Sequence, residues 1–124
     1  MSMGHSANYA DVVTEDFINE ILKEAGEPDL LKKFYEAFSN GGISGDDIYN
    51  GFSDLQKYRY EWLVDVFGRY TGLDLEIEYH DEEGGDRYDD INGIFWSVGG
   101  VYQYTEAGEK YKNQISRCLY VSYG

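Results

Sequence analysis

The run Leu73-Asp74-Leu75-Glu76-Ile77-Glu78-Tyr79-His80 changes the rhythm of this chain. Leu73, Leu75, Ile77 and Tyr79 alternate with Asp74, Glu76, Glu78 and His80, the pattern of a half-buried strand with an acidic solvent face. Before it, apolar residues recur at helical spacing. After it come β-branched and aromatic runs separated by glycines.

Upstream, Thr14 reads as an N-cap, with Glu15 and Asp16 in a first turn whose dipole favours anions. Phe17, Ile18, Ile21, Leu22 and Ala25 follow on one face, and Gly26 reads as a stop. Pro28 suits the start of a second helix carrying Leu30, Leu31, Phe34, Ala37 and Phe38, ended by Asn40-Gly41-Gly42. Ser44, with Asp46 and Asp47, opens a short helical segment holding Ile48, Tyr49 and Phe52. Ser53 or Asp54 caps the longest helix. Its apolar stripe is Leu55, Tyr58, Trp62, Leu63, Val66, Phe67 and Tyr70, and Gly72 stops it. The segment 1–72 is thus expected to be helical throughout.

Downstream, 81–90 reads as a loop. Ile91 to Val98 and Val101 to Thr105 flank Gly99-Gly100, a two-residue hairpin signal. Glu106 to Asn113 reads either as a loop or as a short helix weakened by Gly108. Ile115 to Tyr123 reads as a last strand. The expected fold class is α+β. Three to four N-terminal helices would pack on a C-terminal antiparallel sheet of three to four strands. A chain of 124 residues is expected to form a single domain, 1–124, helical over residues 1–72 and β-rich over residues 73–124.

The net charge is −14, and cutting the chain after Gly72 leaves −7 on each side, so the acidity belongs to the whole surface. With 42% hydrophobic residues and 13 tyrosines, the composition is that of a packed domain, not a disordered acidic tail. Such a surface argues against binding nucleic acid through its phosphates, and against anionic membranes. It favours a basic protein partner, a cation, or no partner at all. Cys118 is the only cysteine, so no intrachain disulfide can form. No apolar run approaches a membrane span, and Met1 to Ser6 lacks the features of a signal peptide. The expectation is a soluble cytoplasmic protein.

From Asp74 to Asp90 the chain holds nine carboxylates and one cation, Arg87. An EF-hand needs carboxylates at positions 1, 3 and 5, Gly at 6 and Glu at 12. Asp86-Arg87-Tyr88-Asp89-Asp90-Ile91 lacks the glycine, and a frame begun at Tyr88 puts Gly99 where Glu belongs. A glycosidase pair needs two carboxyls fixed across a cleft, and Glu76 and Glu78 instead share a strand face. His80 beside Asp81 could be a carboxylate-oriented base, but more often such a histidine simply sits on a polar face. Cys118, in a predicted strand, reads as a buried structural thiol, with Arg117 on the opposite face. No phosphate-binding glycine pattern forms. No enzyme activity, cofactor or metal is expected.

The candidate partner-binding residues are Glu76, Glu78, Asp81, Glu82, Glu83, Asp86, Tyr88, Asp89 and Asp90. Same-face carboxylates on a strand recur about every 6.6–7 Å, close to the phosphate spacing of a nucleic-acid strand. Tyrosines interleaved with them suit an arginine-rich partner through charge-assisted pairs and cation–π contact. Tyr88, Tyr102, Tyr104, Tyr111, Tyr120 and Tyr123 serve either that role or a small aromatic core. In size, acidity, aromatic richness and lack of a catalytic motif, the chain resembles the small acidic inhibitors that phages and mobile elements direct against host defence nucleases, the anti-CRISPR and anti-restriction proteins. The resemblance implies a stoichiometric inhibitor of a basic, nucleic-acid-binding enzyme such as a Cas9-like nuclease. Two alternatives stand beside it. One is a protein that binds a small signalling nucleotide through Arg87, Arg117, Lys110 and Lys112. The other is an immunity protein against a basic toxin. A Tyr- and Val-rich edge strand could also pair with a copy of itself, giving a homodimer.

Overall fold

The computed structural model describes residues 5–80, 93–99, 102 and 105–123, with the side chains of 5–8, 40 and 120–123 left aside. In chain order the elements are β1 (His5–Val13), α1 (Glu15–Glu24), α2 (Leu30–Glu36), α3 (Gly45–Tyr49), α4 (Asp54–Thr71), β2 (Leu75–His80), β3 (Gly93–Val98), α5 (Glu106–Tyr111) and β4 (Ser116–Tyr123). The four strands form one antiparallel sheet in the order β2-β3-β1-β4. The fold is α+β, but helices and strands interleave.

Local chemistry explains the helices. Thr14 Oγ1 accepts the Phe17 N–H at 3.1 Å and starts α1. Ser44 and Ser53 each complete a capping box, with Asp47 and Gln56 respectively. Gly72 adopts φ 81°, the left-handed conformation that closes α4.

Two expectations are corrected. The segment 1–72 is not wholly helical, because His5–Val13 is a strand. It lies between β3 and β4, pairing along its length with β4 from His5↔Tyr123 to Val12↔Ser116. Its partner is supplied by the far end of the chain, so its own short pattern carries little local signal. Of the segment 101–105, expected as the second arm of a hairpin, only Tyr102 and Thr105 lie within the described residues, and neither is in a strand. Tyr102 has a 3-10 conformation, its N–H reaching Gly99 O at 3.1 Å, and Thr105 caps α5. Of the two readings left open for Glu106 to Asn113, the structure has the short helix, Glu106–Tyr111. Its glycine, Gly108, is demanded by proximity, since a Cβ there would overlap the Tyr102 carbonyl.

One sheet face carries Val13, Leu75, Ile77, Trp96 and Val98 into the core, against Phe17, Ile18 and Leu22 of α1, Leu31 and Phe34 of α2, and Leu63 and Phe67 of α4. Phe34 sits at the centre, its ring 5.2–5.8 Å from those of Phe38, Phe52, Tyr60 and Trp96. Trp96 Nε1 donates to Tyr35 Oη at 2.9 Å, and that hydroxyl donates in turn to Glu15. The buried indole N–H is therefore satisfied, and α1, α2 and β3 are tied together. Burial, reinforced by the Glu15 carboxylate, raises the Tyr35 phenol well above its ordinary range.

β2 is an edge strand, and tyrosines cover its outer side. Tyr60 Oη of α4 accepts the Ile77 N–H at 3.0 Å, and Tyr49 Oη of α3 donates to Tyr79 O at 3.4 Å. Groups on an open edge invite another strand, and here hydroxyls occupy them.

Candidate acidic surface on strand β2

The strand β2 presents the candidate carboxylates because its alternation places Leu75 and Ile77 in the core and turns the intervening residues outward. Glu76 stands opposite Ser97 and Glu78 opposite Phe95 in the β2–β3 register. Asp74, just before the strand, shares their parity, and its carbonyl accepts the Gly99 N–H at 3.0 Å.

The two glutamates differ. Glu76 is exposed. Glu78 is half-buried and reaches diagonally across the sheet, where its Oε2 accepts the hydroxyl of the buried Ser97 at 2.6 Å. A charge-assisted hydrogen bond of this length fixes the carboxylate in direction as well as position. Both glutamates lie close enough to Tyr60 to help burial raise its phenol. Asp81, Glu82, Glu83, Asp86, Tyr88, Asp89 and Asp90 lie outside the described residues, as does Arg87. The structure thus brings together Glu76 and Glu78 on one strand face, beside Asp74.

The remaining candidates can be placed individually. His80 ends β2 opposite Gly93 and is half-buried, while Asp81 lies outside the described residues. Cys118 is half-buried rather than buried, opposite Ala10, with Sγ 3.8 Å from Ser116 O. Arg117 Nε meets Asp11 Oδ1 at 3.2 Å, and its guanidinium lies 6.0 Å from the Tyr9 ring centroid. Lys112 pairs with Glu109 at 2.9 Å, and Lys110 lies over the Tyr111 ring. Of the cations named for a nucleotide site, the three within the described residues are thus each engaged by a neighbour. Among the described residues, no group of three or more His, Cys, Asp or Glu is arranged to hold a metal ion. Likewise, no helix is long and apolar enough to cross a membrane.

The tyrosines divide. Tyr102 and Tyr111 are half-buried against the core, and Tyr111 packs 5.6 Å from Phe17. Burial and the adjoining Asp11 carboxylate push the Tyr102 phenol up. Tyr120 and Tyr123 lie on β4, and Tyr88 and Tyr104 fall outside the described residues. Among the described residues, Tyr9 and Tyr49 are exposed, and a further stretch of exposed aromatic surface lies on α4. Leu55, Tyr58, Trp62 and Tyr70 of α4 are 56%, 68%, 39% and 47% exposed, whereas Leu63, Val66 and Phe67 are buried. The helical period expected of α4 is present, but only one side of its apolar stripe enters the core. The signal that separates the two sides is phase. Leu55, Tyr58 and Trp62 sit together on one face with the exposed Arg69, turned away from Leu63 and Phe67.

No protein-family model matches this chain, and no curated protein or solved structure matches it at a significant level.

Proposed function

We propose that this chain is an acidic binding protein that inhibits a basic, nucleic-acid-binding partner by occupying the surface where that partner holds nucleic acid. A host defence nuclease of the Cas9-like kind is the partner class this reading favours. The observation that carries it is the fixed acidic array on β2. Glu76 and Glu78 share one face of β2, with Asp74 just before it at the same parity, and the strand is paired to β3 and braced at its outer edge by Tyr60 and Tyr49. Ser97 orients Glu78.

Same-face carboxylates at about 6.6–7 Å imitate the charge repeat of a phosphate backbone. A rigid array keeps that repeat without an ordering cost on binding. The net charge of −14 adds long-range attraction to a basic groove and raises the encounter rate. The acidic segment Asp81–Asp90 extends the array in sequence.

The test is a competition experiment. Purified chain is titrated into defence nucleases holding labelled target DNA, at low and at high salt, and displacement is followed by anisotropy. Displacement near one-to-one stoichiometry, lost at high salt, is the expected result. A variant carrying Asp74→Lys and Glu76→Lys, both at exposed positions, and another carrying Asp86→Lys, Asp89→Lys and Asp90→Lys, should each displace DNA at least tenfold less well while melting normally. Unchanged potency in both variants would end the acidic-array reading.

A further inference from the structure

Between the end of α1 and the second half of α4 lies an open cleft of about 370 Å³. Ala25, Val66, Trp62 and Tyr70 give it apolar and aromatic lining, and Glu24, Glu27 and Arg69 give it charge. Ligand sites run to roughly 300–1,000 Å³, so this one suits a single long side chain rather than a protein face.

The charges point to a cation. Glu24 is the last residue of α1, where the helix dipole is already negative, and Glu27 follows in the connection to α2. Among the described residues neither carboxylate forms an ion pair, although Glu27 is half-buried. A carboxylate drawn partly out of water gains from a cation beside it. The aromatic lining already meets one. The Arg69 guanidinium lies 5.7 Å from the centroid of the Trp62 ring, and Asp65 holds it at 2.8 Å. Asp65 offsets the Arg69 charge, which leaves the two glutamates to set the sign of the cleft. Trp62 and Tyr70 remain 39% and 47% exposed, so ring surface is still open to a second planar cation.

The cleft also borders the acidic surface. Arg69 lines a second opening, of about 450 Å³, together with Glu61, Asp65 and Asp74. Asp74 stands just before β2 at the parity of Glu76 and Glu78. A basic partner lying along β2 therefore has this cleft within reach of its flanking side chains.

We propose that the cleft between α1 and α4 is a guanidinium site that takes an arginine side chain of the basic partner. This rests on the reading of β2 as the surface that faces such a partner. The guanidinium stacks on the open aromatic lining and donates to Glu24 and Glu27. Arginine fits better than lysine, because its cation is planar and more weakly hydrated.

The test titrates N-acetyl-arginine amide into the intact, nitrogen-15-labelled chain at constant ionic strength. The two indole N–H resonances are followed by nuclear magnetic resonance. The Trp62 signal should shift saturably in the millimolar range, while that of the buried Trp96 stays in place. The neutral isostere N-acetyl-citrulline amide should leave both unmoved. A Glu24→Gln, Glu27→Gln chain should bind at least about threefold more weakly. Trp62→Leu, followed at the Tyr70 backbone amide, should bind at least about fivefold more weakly. Far-ultraviolet circular dichroism should be unchanged in both. A Trp62 signal that does not saturate, an equal response to citrulline, or undiminished binding by the double glutamine chain would each overturn the proposal. No nuclease enters this readout, so failure here and failure of the DNA displacement test are separate results.

Discussion

Replacing Tyr60 by Phe isolates the role of one hydroxyl at the edge of the sheet. The ring would keep its neighbours, Phe34 at 5.7 Å, Phe52 at 5.2 Å and Trp96 at 6.1 Å, so the buried apolar area hardly changes. What disappears is the acceptor for the Ile77 N–H, now bonded at 3.0 Å. Ile77 is buried, so its amide cannot readily turn to water instead. Leaving a buried donor without a partner costs about 1–3 kcal/mol. The phenol's own desolvation, relieved in Phe, pulls the net loss to about 1–2 kcal/mol. Unfolding entropy near 2.1 cal/mol/K per residue gives about 4 °C per kcal/mol for a chain of this length, hence a fall in Tm of about 4–8 °C. Tyr49→Phe is the internal control. That hydroxyl is exposed and sits at 3.4 Å from Tyr79 O, so its loss should cost only a few tenths of a kcal/mol. Thermal unfolding by circular dichroism gives the Tm values, and hydrogen exchange reports the Ile77 amide directly. A Tyr60→Phe chain melting within about 1 °C of the parent, with Ile77 equally protected, would refute the edge-capping argument.

Two further outcomes follow from packing and titration. Gly108→Ala should destabilise by about 2–3 kcal/mol in urea unfolding, because the new methyl meets the Tyr102 carbonyl, whereas helix propensity alone calls for a gain of about 1 kcal/mol. The sign of that change separates the two causes. Tyr35, Tyr60 and Tyr102 all have phenols raised above the ordinary value of 10.0. Between the unfolded and folded values the native state holds more protons, so stability is fully present below about pH 10 and falls as pH rises beyond it. Melting temperatures recorded from about pH 8 to about pH 11.5 should stay level and then drop, and Tyr35→Phe should flatten the drop.

The readable stretches of the chain are those whose causes are local. Thr14, Ser44, Ser53 and Gly72 each act within a few residues, and each marks a helix boundary in the structure. The alternation in Leu75–His80 locates β2 and its acidic face for the same reason. The strand β1 escapes because its ladder to β4 lies about a hundred residues away. Gly108 shows the converse, since a glycine can answer a turn or a close approach, and only the neighbour, here the Tyr102 carbonyl, decides which. On α4, period cannot tell Phe67 from Tyr58, because an outward aromatic stripe repeats as faithfully as an inward one. In the candidate site, Glu76 and Glu78 can be placed on one face from the sequence. Their inequality cannot, because it comes from Ser97 on another strand.

The position of β1 bears on how the chain is made. Asp11 and Arg117, which meet across β1 and β4, are separated by 106 residues. At about 5–20 residues per second, a ribosome takes about 5–20 s to supply the second after the first. For that interval one long side of the opening strand has no ladder to join, although helices α1 to α4 have already emerged. Closure of so large a loop comes late and favours slow folding. Shortening the gap by circular permutation, so that β4 is synthesised just before β1, should therefore quicken refolding and leave the native sheet unchanged.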